Sequence, residues 1–99
     1  MTVDFHPRAH ADYLDAAKYY VEISKELARA FLEEVEQAVK RIEDFPEAWP
    51  IVDDDIRRLT LNRFPFGIYY SIEDDVALIH AVLHMKRHPD RWKRRRRTI

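Results

Sequence analysis

The chain has no cysteine among its 99 residues. That excludes disulfides, thiolate metal sites and a cysteine nucleophile, and it fits a reducing compartment. Long apolar runs are missing too. The longest, Val76–Met85, spans about ten residues and holds two histidines, whereas a membrane span needs about twenty. Nothing of the secretory kind opens the chain, because Asp4 interrupts it before any apolar run begins. His6, His10, His80, His84 and His88 show no metal-ligand spacing, and Asp90 is the nearest carboxylate to the last three. These absences predict a soluble, cytoplasmic protein with no membrane contact, no metal and no cofactor.

What is present is a single domain's worth of chain, residues 1–99. A hydrophobic content of 46% is enough for a core, and 35% charged residues supply a solvated exterior. The formal net charge of -1 conceals a strong segregation. Residues 1–55 hold six Lys+Arg against fourteen Asp+Glu; residues 56–99 hold eleven against four. Much of that second-half charge lies in the last fourteen residues, KRHPDRWKRRRRTI, where Lys86, Arg87, Arg91, Lys93 and Arg94 to Arg97 are cationic. A basic run next to an apolar strand is suited to polyanions or an acidic partner. Residues 93–99 are expected to be a mobile basic tail, because like charges repel and order only on a partner. A tryptophan is costly to leave exposed, so Trp92 should dock on the domain or on a partner.

Hydrophobic periodicity gives the element order. Val3 and Phe5 share one face of a short strand, which His6-Pro7 ends; proline suits the first turn of the helix that follows, to about Ile23. Tyr13, Leu14, Ala17, Tyr20 and Val21 should form its inner side. Ser24 can cap a second helix, in which Ala28, Phe31, Val35, Ala38 or Val39, and Ile42 recur every three or four residues, until Phe45-Pro46. The short link makes the two an antiparallel hairpin. Phe45 and Trp49, in a rigid proline-bounded connector, can plug the helix–sheet seam. Ile56–Asn62 and Phe64–Ile72 alternate, and Val76–Met85 is apolar on both faces, as a central covered strand would be. Glu73-Asp74-Asp75 reads as a hairpin turn, and Pro65 with the single glycine, Gly67, predicts a bend or bulge entering the middle strand. His80 and His84 fall at alternating positions of the last strand and should share a face. The reading is an α+β domain of order β-α-α-β-β-β, with a helical hairpin on one face of a small, mostly antiparallel sheet and a short basic C-terminal helix or tail.

This order resembles the RelE/ParE superfamily of toxins from type II toxin–antitoxin (plasmid stabilisation) systems. The resemblance spans nearly the whole chain: Phe5, Pro7, Ala9, Asp12, Ala16 and Tyr19-Tyr20; then Phe31, Glu36, Ile42, Pro46 and Trp49-Pro50; then Ile56-Arg57-Arg58, Leu61, Arg63-Phe64-Pro65-Phe66 and Ile68-Tyr69-Tyr70. Ala81-Val82-Leu83-His84 with Arg87, Pro89 and Trp92 completes it. The RFPF–IYY and H-x-x-R-x-P-x-x-W patterns look closer to the ParE-like branch. That implies inhibition of DNA gyrase by binding, without hydrolytic chemistry. The RelE-like branch implies instead a ribosome-dependent messenger-RNA endoribonuclease. Basic residues stand at its matching places (Arg57 or Arg58, Arg63, Arg87), but Trp92 occupies the place of a late tyrosine. A third reading is a non-toxic basic nucleic-acid-binding module or a decayed toxin.

RNA cleavage would need a base, an acid and cations for the phosphorane charge. Arg57, Arg63 and Arg87 could stabilise that charge, and His84 or His88 could move the proton. Arg57 and Arg63 share parity with Leu59 and Leu61 and could flank one face together. The candidates for catalysis or target binding are therefore Arg57, Arg58, Arg63, His84 and Arg87; those for docking or partner contact are Lys86, Arg91, Trp92 and Lys93. The resemblance also implies a cognate antitoxin whose acidic or amphipathic segment folds on the toxin, giving a hetero-oligomer.

Overall fold

Thr2–Phe5 forms strand β1, and His6 then turns the chain into helix α1, Pro7–Ile23. Proline occupies the first turn, and the His6 ring nitrogen Nδ1 accepts the Arg8 N–H at 3.1 Å. One residue, Ser24, ends α1 and starts α2, Lys25–Asp44: its N–H donates to the Tyr20 carbonyl, and its Oγ accepts the Leu27 N–H at 3.0 Å. Both unsatisfied helix ends are thus served by one side chain and its backbone. Strands β2 (Ile51–Asp53), β3 (Ile56–Thr60), β4 (Phe66–Glu73) and β5 (Val76–His84) follow, then a short helix α3 (Arg91–Arg96). The computed structural model describes residues 1–96, with side chains described through Lys93; the remainder of the expected mobile tail, residues 97–99, lies outside the described residues.

The sheet order is β1-β5-β4-β3-β2, with β1 parallel to β5 and every other pair antiparallel. The predicted order holds, with one addition. β2 is three residues between Pro50 and Asp54, too short to carry a readable alternation. β5 is an inner strand, paired on both sides by β1 and β4, as its two-sided apolar pattern requires; the middle position belongs to β4.

The helical hairpin covers one face. Ala28, Phe31, Val35 and Ile42 of α2 are buried as their spacing predicts, and of the two residues it left open Ala38 is buried while Val39 is only partly so. Phe31 is the hub: its ring lies 5.2 Å from those of Tyr20, Phe64 and Phe66. Truncating such a side chain to alanine costs about 3–5 kcal/mol. The inner side of α1 differs from expectation. Ala9, Ala16 and Tyr20 are buried, while Leu14 and Val21 are each 52% exposed. Two alanines let α1 lie close to β5, which rotates the larger aliphatic residues outward. In the connector Trp49 packs against the core, but Phe45 is exposed and plugs nothing.

The bulge sits elsewhere than predicted. Residues 62–65 bend, but the register slips between β4 and β5, where Tyr69 faces Ala81 and Tyr70 faces Ile79. His80 is the extra residue. Its Nε2 lies 2.8 Å from Ser71 Oγ on the face away from the hairpin, whereas His84, beyond the slip, packs on Phe66 of the hairpin face. The expectation that the two histidines share a face fails because the bulge resets the alternation. On the outer face Ile56, Tyr69, Ala81, Leu83 and Trp92 form a second small core beneath α3. No helix among the described residues is long and apolar enough to cross a membrane.

Candidate functional site

The C-terminal end of β5 meets the second half of α1 and makes an open cleft of about 150 Å³. Asp12, Asp15 and Tyr19 line it from α1; His84, Arg87, His88 and Arg91 line it from the sheet end and the turn beyond. β1 stops opposite Ile79, so the β5 edge past that point needs another partner. Asp12 supplies it, its Oδ2 accepting the Val82 N–H at 3.2 Å. That bond ties the α1 wall of the cleft to the strand.

His84 organises the turn. Its Nδ1 accepts the backbone N–H groups of both Lys86 and Arg87 at 3.2 Å, so the ring carries its proton on Nε2. Its edge-to-face contact with Phe66 (5.5 Å, 72°) fixes the ring plane. Desolvation first, and then the neighbouring charges of Arg87, His88 and Lys86, hold its pKa below the usual histidine value. A neutral imidazole is what an Nδ1 acceptor requires. Arg87 in turn places its guanidinium carbon 5.1 Å from the centre of the Tyr19 ring, a cation–π contact bridging turn and α1.

Trp92 stacks on Tyr69 at 5.0 Å with planes 16° apart, and its indole N–H donates to the Pro89 carbonyl at 3.0 Å. At 4% exposure it docks on its own domain. Lys93 lies over the same indole at 5.6 Å and pairs with Asp90 at 3.5 Å. Lys86, Arg87 and Arg91 are exposed around this anchor.

The middle-strand arginines divide three ways. Arg57 donates from Nη1 to the carbonyls of Glu47 (3.0 Å) and Trp49 (2.7 Å), tying the connector to the sheet. Beside it Tyr70 donates its hydroxyl to the Pro46 carbonyl at 2.6 Å, and burial, opposed by Arg57, pushes that phenol up to about 12. Arg58 lies across Gly67 on the outer face: a Cβ there would stand 3.0 Å from Arg58 Cδ and 3.2 Å from the Tyr69 ring. A side chain there would force the Arg58 stem and the Tyr69 ring to give by a few tenths of an ångström. Arg63 lies past the end of β3, in a loop whose Asn62 and Arg63 N–H groups both donate to the Glu34 carboxylate. Arg57 and Arg63 therefore do not flank one face together. Met85 N–H donates to the Pro65 carbonyl at 2.9 Å, which brings the Arg63 loop to the Lys86–Arg87 end of the sheet.

Of the residues singled out from sequence, the fold gathers His84, Lys86, Arg87, Arg91, Trp92 and Lys93 at one end, with Arg63 on the adjoining loop. It sets Arg57 and Arg58 apart. The cleft's α1 wall was not foreseen as part of the site, although Asp12, Asp15 and Tyr19 recur at three and four residues and could have been read as a polar stripe. Among the described residues no cluster is placed to hold a metal ion.

The sequence profile of the family described as "ParE toxin of type II toxin-antitoxin system, parDE" matches residues 3–89. A solved structure described as "Chromosomal ParDE TA system from P. aeruginosa" superposes with a TM-score of 0.75 at 23% identity, covering 85% of this chain and 95% of that one. No curated protein matches the sequence. The solved relative establishes the fold, and the profile extends over most of the chain, through the cleft residues as far as Pro89. The chain belongs to the ParE toxin family of type II toxin–antitoxin systems.

Proposed function

We propose that this chain is a toxin that inhibits DNA gyrase by binding, through the end of the sheet where Arg63, His84, Lys86 and Arg87 meet, and that a cognate antitoxin silences it. The carrying observation is that two of the four ribonuclease candidates, Arg57 and His84, are committed to the architecture. Arg57 is spent on two connector carbonyls, and His84 Nδ1 accepts two backbone N–H groups. A phosphorane needs those cations converging within hydrogen-bond reach of one phosphate. Here Arg57 stands apart from Arg63 and Arg87, and the neutral His84 ring is held by its own turn, which favours a binding surface over a catalytic one.

The antitoxin is an acidic or amphipathic segment that orders on this chain in the cytoplasm, guided toward the cationic end by charge. Expression alone should arrest growth, and co-expression of the cognate antitoxin should relieve the arrest. The purified chain should block supercoiling by gyrase while transcripts in a translating extract stay intact. Rapid transcript cleavage with undisturbed supercoiling would sink the gyrase reading and install the ribonuclease in its place.

A further inference from the structure

The cationic end of the sheet has a feature that inhibition of a protein target does not require. Five exposed cations reach it from separate segments: Arg63 from the β3–β4 loop, Lys86 and Arg87 from the turn after β5, Arg91 and Lys93 from α3. Among the described residues the ion pairs are Lys40–Glu43 and Lys93–Asp90, so none of Arg63, Lys86, Arg87 and Arg91 is held in one, although Glu34 lies beside Arg63 and Asp12 and Asp15 share the cleft of Arg87 and Arg91. The turn is held by His84 and α3 by Trp92, which preorganises the charges.

The opposite end is the reverse. Glu43 and Asp44 at the end of α2, Asp53 to Asp55 at one turn and Glu73 to Asp75 at the other lie at the far ends of the strands. β5 alone separates the two ends by roughly 30 Å, about three Debye lengths at 0.1 M salt. A polyanion at the cationic end is therefore screened from the carboxylates of the far end, despite the net charge of -1.

We infer that the cationic end binds the phosphate backbone of duplex DNA directly. The choice of DNA rests on the gyrase reading, since that target works on duplex DNA. Backbone contact follows from the aromatic residues: among the described residues of this end, Trp92 is buried on Tyr69 and the exposed Tyr19 ring carries Arg87, so neither ring is offered to stack a base. Asp12 and Asp15 repel phosphate from the cleft floor, which sets the contact along the rim. Binding is then weak, independent of sequence, and no tighter for single strands than for duplex.

The test uses the intact chain and a labelled duplex of about 20 base pairs, followed by anisotropy between about 50 and 200 mM salt. Affinity should fall with salt with a log–log slope of at least about -3, and Arg63→Ala, Arg87→Ala and Arg91→Ala should each shallow that slope by about 1. Asp74→Asn with Asp75→Asn should leave the slope unchanged. Circular dichroism checks that each variant is folded. Absence of binding at low salt, a slope indifferent to the three arginines, or preference for single strands overturns the inference. So does tighter binding of an acidic polypeptide of matched charge through the same arginines, which would assign the face to a protein. Supercoiling is measured alongside. Gyrase inhibition without DNA binding overturns this inference alone, and DNA binding without inhibition overturns the gyrase reading alone.

Discussion

The two ends of this sheet are built on opposite principles. The acidic end consists of two tight turns, Asp54-Asp55 and Asp74-Asp75, in which Asp54 (φ 50°) and Asp74 (φ 58°) take the left-handed region that Asp tolerates. It is held by local backbone geometry and needs little packing. The cationic end is held by long-range contacts: Asp12 to Val82, His84 to its own turn, Trp92 on Tyr69, Arg87 on Tyr19. One end closes hairpins. The other assembles a surface from α1, β5, the β3–β4 loop and α3, and that is where removal of a side chain should be felt most.

The largest effect is expected at Trp92. Six residues of α3 cannot be stable alone, so the helix persists because its indole is docked. Trp92→Ala forfeits about 3 kcal/mol of local burial and should raise tryptic cleavage at Arg91 and Lys93 by about a hundredfold. Unchanged cleavage would mean that the cationic end is not anchored as described. Next comes Arg87. Its truncation to alanine should weaken gyrase inhibition by about tenfold to thirtyfold, the cost of an arginine at the centre of a contact. Asp75→Asn at the other end should stay within about twofold. Equal losses from the two variants would erase the distinction between the ends.

Much of the fold was legible in the chain because it rests on periodicity. α2 reads directly from Ala28, Phe31, Val35, Ala38 and Ile42, and Ser24 announces its own cap. What the sequence withheld depends on contacts between distant residues. The bulge at His80 has no local signature and reverses the face of every later residue in β5, which is why His80 and His84 part. Arg57 and Arg63 share strand parity, yet one reaches back to the connector and the other lies beyond the strand. Leu14 and Val21 fit a helical stripe as well as Ala9 and Ala16 do; only the packing of α1 on β5 chooses between them. The cleft needed α1 and β5 in register, and their residues lie about seventy positions apart at the Asp12–Val82 bond.

A third contrast concerns the acidic end alone. Replacing Asp74 with glycine removes the side-chain penalty of positive φ and should stabilise the fold by up to about 1 kcal/mol; alanine should destabilise it by about 1 kcal/mol. Denaturant unfolding of the pair checks the sign. The same substitutions should leave gyrase inhibition untouched, because no contact of the cationic end passes through that turn.

The smallest effect belongs to pH, and it tests whether the cationic end is locked by a neutral ring. His84 is held below the ordinary histidine pKa of 6.5. The unfolded chain therefore takes up that proton first as pH falls, so stability must decline from about pH 6.5 downward through the folded-state pKa, with no contribution above it. Protonation at Nδ1 also removes the acceptor used by the Lys86 and Arg87 N–H groups and adds a charge beside Arg87, Lys86 and His88. Wild type and His84→Gln should differ in the pH dependence of Tm below about pH 6.5, the wild type losing more, while the two run parallel above it. Nuclear magnetic resonance titration should find the His84 ring as the Nε2–H tautomer at neutral pH. An Nδ1–H tautomer, or identical pH profiles, would leave the order of the cationic turn to Trp92 and Arg87 alone.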